Sequence, residues 1–309
     1  MADLSFRASI KPPEVEELID LFVHRPLAHL IARSAYPTAI TPDQLTMLSM
    51  FVGIAAGWCT WSSLARGPSW LAAGGALLIA SAVVDCSDGQ LARMRQSSSR
   101  FGRMLDGLVD AIVQLAVIPP VLAHLWMEHR AHPAGAIPWL AVGVVAVVTG
   151  SLHTTLYDHF KNVYLVQTQP TRREGNDDPE DVEAHYAGLQ SQGLRLFDAV
   201  RFFLYRRYVP QQRALLGWID PSIPSRYRDM PEYSIERAAR YRLLHRGVMR
   251  AWSFYGIGTH IFGLGVAMMT GQLVVYVFFR AVVFNLALLA LVPAQRRASR
   301  AFFTREGMS

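Results

Sequence analysis

Four aspartates, Asp85, Asp88, Asp106 and Asp110, fall in the segment DCSDGQLARMRQSSSRFGRMLDGLVD (85–110), which long apolar runs flank on both sides. A carboxylate inside a helix that belongs in lipid costs about 2.5–3.5 kcal/mol even on insertion scales, and such residues usually face the bundle interior for a functional reason. Spacings of three (Asp85, Asp88) and four (Asp106, Asp110) put each pair on one face of a helix. The two helices are expected to run antiparallel about a turn near Gln96-Ser97-Ser98. Residues equidistant from that turn lie at equal depth, so Asp85 is expected level with Asp110, and Asp88 with Asp106. At ~1.5 Å per residue the group sits roughly 10–15 Å inside the helix ends.

Facing one another in a low dielectric, these carboxylates cannot all stay ionised unless cations intervene. Oxygen-only ligands favour a hard ion such as Mg2+ or Mn2+. Two such ions a few Å apart would clamp a phosphoryl group in line between nucleophile and leaving group. Gly89 and Gly102 lie on the same stripes and leave room for a bulky ligand, while Arg93 can neutralise phosphate oxygens. Cys86, beside Asp85, reads as a small buried filler.

The chain that must position these residues has 309 residues, 51% hydrophobic and only 17% charged, with a mean hydropathy of +0.20. Soluble domains carry about 25% charge, so composition excludes disorder and points away from an ordinary soluble domain. Two cysteines, Cys59 and Cys86, exclude a disulfide-stapled secreted domain. Residues 45–65 and 137–157 contain no Asp, Glu, Lys or Arg, and each can cross a ~30 Å hydrocarbon core. Segments 69–94 and 101–126 are apolar over most of their length and carry acids at the ends that face each other. The stretch 251–279 is divided by Thr270-Gly271-Gln272, and its second half continues past Arg280. The expected fold is an all-α integral membrane protein with six transmembrane helices and an N-terminal amphipathic interfacial helix.

Arginines Arg93, Arg95, Arg100, Arg172, Arg173, Arg206, Arg207, Arg296 and Arg297 fall on one side of these spans, against Arg66 and Arg130 on the other. By the positive-inside rule both termini and the aspartates face the cytoplasm. The net charge of +6 then becomes a collar facing anionic headgroups, and no nucleic-acid partner is expected. The chain divides into an interfacial segment (1–44), helices 1–4 with the motif (45–160), a cytoplasmic loop (161–247), helices 5–6 (248–293) and a tail (294–309). The start lacks a basic n-region and cleavage site, so it is expected to persist as two short amphipathic helices separated at Pro26. A basic amphipathic helix is expected near Leu194–Tyr208, its arginines 201–207 forming a lipid-headgroup patch. Gly256, Gly258, Gly263 and Gly265 read as close helix packing, and His153, His159 and His260 as packing residues.

Written as a pattern, Asp85-x2-Asp88-Gly89-x2-Ala92-Arg93-x8-Gly102-x3-Asp106-x3-Asp110 resembles the signature of the CDP-alcohol phosphotransferase family at all eight positions. Thr41-Pro42-x-x-Leu45-Thr46, leading into the first span, is also similar to that family, whereas Asp43 stands where many relatives have Asn. The resemblance implies transfer of a substituted phosphate from a CDP-linked alcohol to an acceptor hydroxyl, releasing CMP, in phospholipid biosynthesis. It implies that Asp85, Asp88 and Asp106 bind two Mg2+ or Mn2+ ions, with Asp110 as a further ligand and the catalytic base. Asp85, Asp88, Gly89, Ala92, Arg93 and Gly102 would bind the CDP moiety. Membrane lipids and a second copy in a homodimer are the implied partners, and a bacterial inner membrane the expected location. CDP-diacylglycerol is the favoured donor. The alternative is choline- or ethanolamine-type transfer from a CDP-linked head group to a lipid alcohol. A different class of protein, a cation- or proton-coupled transporter using the acids as a relay, leaves the Gly and Arg positions without a role.

Overall fold

In lipid, backbone polar groups must be satisfied within the chain, and a helix does this segment by segment. The computed structural model describes residues 5–97, 100–131, 133–170, 216–224 and 229–306, and every regular element among them is helical. A short helix α1 (Phe6–Ser9) precedes a π-helical turn (Asp20–His24) that runs directly into α2 (Arg25–Ala35). Then come α3 (Pro42–Arg66), α4 (Pro68–Met94), α5 (Arg100–His129) and α6 (Pro133–Thr168). Further along the chain follow α7 (Ile235–Trp252), a 3-10 turn (Ser253–Tyr255), α8 (Ile257–Thr270) and α9 (Leu273–Phe303).

Local sequence explains the boundaries that set the site. Thr41 and Gln44 form a reciprocal capping box at the start of α3, with Pro42 in its first turn. Gly67, at φ +97°, alone separates α3 from α4, a left-handed conformation that Gly adopts without cost. Gly271, at φ +70°, closes α8 in the same way before α9. At the other end of α4, Arg95 donates to the carbonyls of Ala35, Tyr36, Thr38 and Ile40, tying the α2–α3 connection to the helix that carries Asp85 and Asp88.

The protein is an integral membrane protein. Among the described residues, five helices are long and apolar enough to cross a bilayer: α3, α4, α5 from Leu105, α6 from Gly135, and α9. The fifth of the six expected spans, 251–270, is interrupted by the 3-10 turn at Ser253–Tyr255. Its apolar part, α8, has 14 residues, about 21 Å of helix. Pro26 likewise does not separate two helices. It sits in the first turn of α2, where its missing N–H costs nothing. The basic amphipathic helix expected near 194–208 and the arginines at 201–207 lie outside the described residues.

Two compact units divide the chain: Met1–Thr155 with Ser253–Leu286, and Leu156–Trp252 with Ala287–Ser309. In the first, α3 shows how the bundle is sorted. Leu48, Phe51, Ile54, Trp58 and Trp61 form an exposed stripe of large apolar side chains suited to lipid, while Ser49, Gly53, Ala56, Gly57 and Thr60 are buried. Small residues let backbones approach, which is how membrane helices pack when lipid is as apolar as their own side chains. A Cβ on Gly57 would meet the Ala116 carbonyl oxygen at 2.4 Å, and one on Gly75 would meet the Gly265 carbonyl oxygen at 2.4 Å. Gly57→Ala is expected to cost about 1–3 kcal/mol through overpacking against backbone that cannot move away, read as a lower thermal midpoint in detergent. In the second unit, Trp252 stacks on Phe160 and donates to Gln295 at 3.0 Å, and Arg237 and Arg240 both pair with Glu306 at 2.8 Å.

Candidate active site

The C-terminal end of α4 and the N-terminal part of α5 come together, and with them the aspartates. One carboxylate oxygen from each of Asp85, Asp88 and Asp106 lies within 4.8 Å of the others. Asp85 and Asp106 are within hydrogen-bonding reach of each other. Asp106 therefore serves both α4 acids rather than facing Asp88 alone. The two are one turn apart, about 4.5 Å along the axis, so a single side chain on α5 can meet both. Asp110, one turn further along α5, is within electrostatic range of Asp85 but outside the three-carboxylate group.

Two sets of neighbours went unnoticed in the sequence. The first is on α3. The Thr46 hydroxyl donates to Asp88 Oδ2, and Ser49 Oγ donates to the Thr46 carbonyl at 2.7 Å and lies 3.5 Å from Asp85 Oδ1. Ser81 on α4 donates to the Ser49 carbonyl at 2.8 Å, which fixes that turn of α3 against the acids. Thr46, Ser49 and Gly53 recur at helical spacing on the face opposite the large apolar stripe, which marks that face as interior without marking which hydroxyls reach an acid. The second set is the interfacial segment, which closes the site from the side. Arg93 Nε donates to the Ser9 carbonyl at 2.6 Å, and Gln90 Nε2 donates to the Arg25 carbonyl at 3.0 Å. Lys11 and Arg25 stand within electrostatic range of Asp106, and Arg25 also of Asp85.

The remaining predicted site residues surround this group. The Arg93 guanidinium lies over Gly89, 3.4 Å from where a Cβ would stand. The Ala92 carbonyl accepts from Ser97 N at 2.9 Å, ending α4. Gly102 is half-buried in the first turn of α5. Three carboxylates with hydroxyl neighbours make an oxygen-only donor set that suits Mg2+ or Mn2+ rather than a softer ion. The intramembrane histidines lie elsewhere. His153 donates from Nε2 to Asn285 Oδ1 at 3.2 Å and stacks on His260, while His159 packs edge-on against Phe160.

Gly256 and Gly258 make room for carboxylates as well as for helices. Glu17 accepts from Gly258 N at 3.2 Å, Thr259 N at 2.7 Å and Thr259 Oγ1 at 2.8 Å, so the interfacial segment caps the start of α8. Burial, reinforced by the nearby Asp20 carboxylate, pushes the Glu17 carboxyl from 4.5 up to about 8. Between those values the folded chain holds a proton that the unfolded chain gives up, so this group's contribution to stability falls as pH rises from 4.5 to about 8. Glu17→Gln mimics the protonated form. Thermal unfolding at pH 5 and pH 8 is expected to show a smaller loss of stability with pH in the variant than in the wild type.

The fold and the site together define a helical membrane protein with three half-buried carboxylates gathered from α4 and α5. Residues 39–166, which hold α3, α4, α5, all four aspartates and most of α6, match the family model CDP-alcohol phosphatidyltransferase. Two curated relatives agree. The chain is 27% identical over 141 residues to the "Bifunctional IPC transferase and DIPP synthase" of Aquifex aeolicus, covering 45% of this chain and 30% of that protein. It is 25% identical over 122 residues to the "CDP-diacylglycerol–serine O-phosphatidyltransferase" of Helicobacter pylori, covering 40% of this chain and 47% of that protein. The match thus spans less than half the length of either relative.

Proposed function

We propose that the protein transfers a substituted phosphate from a CDP-linked alcohol to an acceptor hydroxyl, with release of CMP, in phospholipid biosynthesis. The observation that carries this reading is the three-carboxylate group of Asp85, Asp88 and Asp106, lying within the segment that matches the family model. CDP-diacylglycerol is the favoured donor, a choice supported by the similarity to the Helicobacter pylori relative, which is named for transfer from CDP-diacylglycerol to serine. The choline- or ethanolamine-type reaction, with the head group on the CDP, is the second reading.

In this account Asp85, Asp88 and Asp106 hold two divalent ions, Mg2+ or Mn2+, and Thr46 and Ser49 fix the carboxylates that ligate them. When bound, the ions supply Lewis-acid stabilisation to the diphosphate of the donor. Arg93, resting on Gly89, directs its guanidinium at phosphate oxygens, and Gly89, Ala92 and Gly102 leave space for the CDP. The acceptor oxygen attacks the phosphorus that carries the alcohol, the P–O bond to CMP breaks, and CMP departs. Asp110 takes the acceptor proton on a carboxylate oxygen as the new O–P bond forms. The site works from the cytoplasmic side of a bacterial inner membrane, in a homodimer.

The substrate pair is tested by incubating purified full-length protein with CDP-diacylglycerol and a panel of small alcohols, including inositol phosphate, glycerol phosphate and serine. In parallel it is incubated with CDP-choline or CDP-ethanolamine and diacylglycerol. CMP formation with one small alcohol from the first set is expected. CMP from the second set alone selects the head-group-donor reaction, and no CMP from any pair with Mg2+ or Mn2+ overturns the enzyme reading.

A further inference from the structure

A second group of ligating side chains lies where the interfacial segment meets α4, and it differs in chemistry from the aspartate centre. Asp20 and His24 come from the π-helical turn, closed by the Arg25 N–H on the Asp20 carbonyl, and Cys86 comes from α4. One ligand atom from each of the three lies within 4.8 Å of the others. His24 is fully buried and Asp20 nearly so. His24 Nδ1 is 2.8 Å from Asp20 Oδ1, but its Nε2, equally buried, has no partner. An unsatisfied polar nitrogen in a protein interior is costly, and π-helical turns concentrate at functional sites.

We propose that Asp20, His24 and Cys86 bind a single transition-metal ion of the Zn2+ class, separate from the ions at the aspartate centre. The donor set is one sulfur, one nitrogen and one oxygen. That combination suits Zn2+ and its analogues, with the fourth position left to water, whereas Mg2+ and Mn2+ prefer the oxygen-only group next door. Cys86 follows Asp85 directly, so the two side chains leave α4 about 100° apart and cannot serve the same ion face.

The surrounding charge favours a cation. Glu16, Glu17 and Asp20 are all buried here, and Arg25 is the basic side chain set among them, 3.4 Å from Glu16. Phe262 on α8 packs edge-on against the His24 ring, 5.9 Å between centroids, which shields the group from solvent. An ion bound at this point pins the interfacial segment to α4 at the residue beside Asp85. It thereby couples the segment that carries Lys11 and Arg25 to the helix that carries the aspartates.

Co2+, a spectroscopic stand-in for Zn2+, tests the site in the full-length protein after chelator treatment. The expected result is one equivalent of Co2+ producing a sulfur-to-cobalt charge-transfer band, and loss of that band when Zn2+ is added. The band is expected to vanish in Cys86→Ser and to weaken in His24→Gln. It should persist in Cys59→Ser, and in Asp106→Asn, which separates this ion from those of the transfer reaction. Absence of the band from the wild-type protein overturns the proposal, whatever becomes of the variants. So does a band that survives Cys86→Ser or disappears in Cys59→Ser.

Discussion

Asp106→Asn is expected to lower CMP release by at least about 10^3-fold, roughly 4 kcal/mol of transition-state stabilisation. Asp106 is the carboxylate on α5 that approaches both Asp85 and Asp88, so its loss opens the ligand set of both ions at once. The carboxamide keeps the shape but not the charge that the diphosphate-bound ions require. The same change removes one of several like charges from a buried cluster, so the metal-free variant should unfold at a higher temperature than the metal-free wild type. Activity and stability moving in opposite directions marks Asp106 as functional, because a packing residue would lose both. Rate assays with saturating Mg2+ or Mn2+, paired with thermal unfolding in chelator, check the two halves.

Asp110→Asn should behave differently. As the proposed base, Asp110 is expected to contribute about 10^2–10^4-fold to turnover. Its position one turn from the three-carboxylate group predicts that donor KM and metal dependence change little while kcat falls. The acidic limb of the pH–rate profile, along which the rate falls as the base becomes protonated, should disappear. A variant that instead needs far more metal to reach an unchanged kcat would make Asp110 a ligand and leave the base to another group.

The aspartates were legible in the sequence because carboxylates at spacings of three and four inside apolar helices have few structural reasons to exist. Their grouping was only half legible. Equal distance from the turn gave depth, but which acids meet depends on how α4 and α5 are rotated about their axes, and α5 is fixed in part by its packing on α3, through contacts such as Gly53 with Val113 and Gly57 with Ala116. Thr46 and Ser49 were hidden for another reason. Hydroxyl residues in apolar helices commonly bond to their own backbone, as Thr60 does to Ala56, and nothing local distinguishes those that also reach a carboxylate 36 or 42 positions away. The interfacial segment was read correctly as amphipathic on its outer face, where Phe22, Leu27 and Leu30 are exposed. Its inner face was not foreseen, because Glu16, Glu17, Asp20 and Arg25 look like ordinary surface charge until α4 and α8 cover them. The split of the fifth span at Ser253–Tyr255 was equally silent, since Trp252, Phe254 and Tyr255 carry the apolar character through the break.

Equilibrium Mn2+ binding to the chelator-treated full-length protein, followed through the loss of the free-ion paramagnetic signal, addresses the metal centre without requiring that the acceptor be known. Saturable binding of two Mn2+ per chain in the presence of CMP is predicted for the wild type, with clearly weaker binding in Asp106→Asn. Absence of saturable binding, or identical binding curves for the two proteins, would contradict the assignment of Asp85, Asp88 and Asp106 as the centre that carries the reaction.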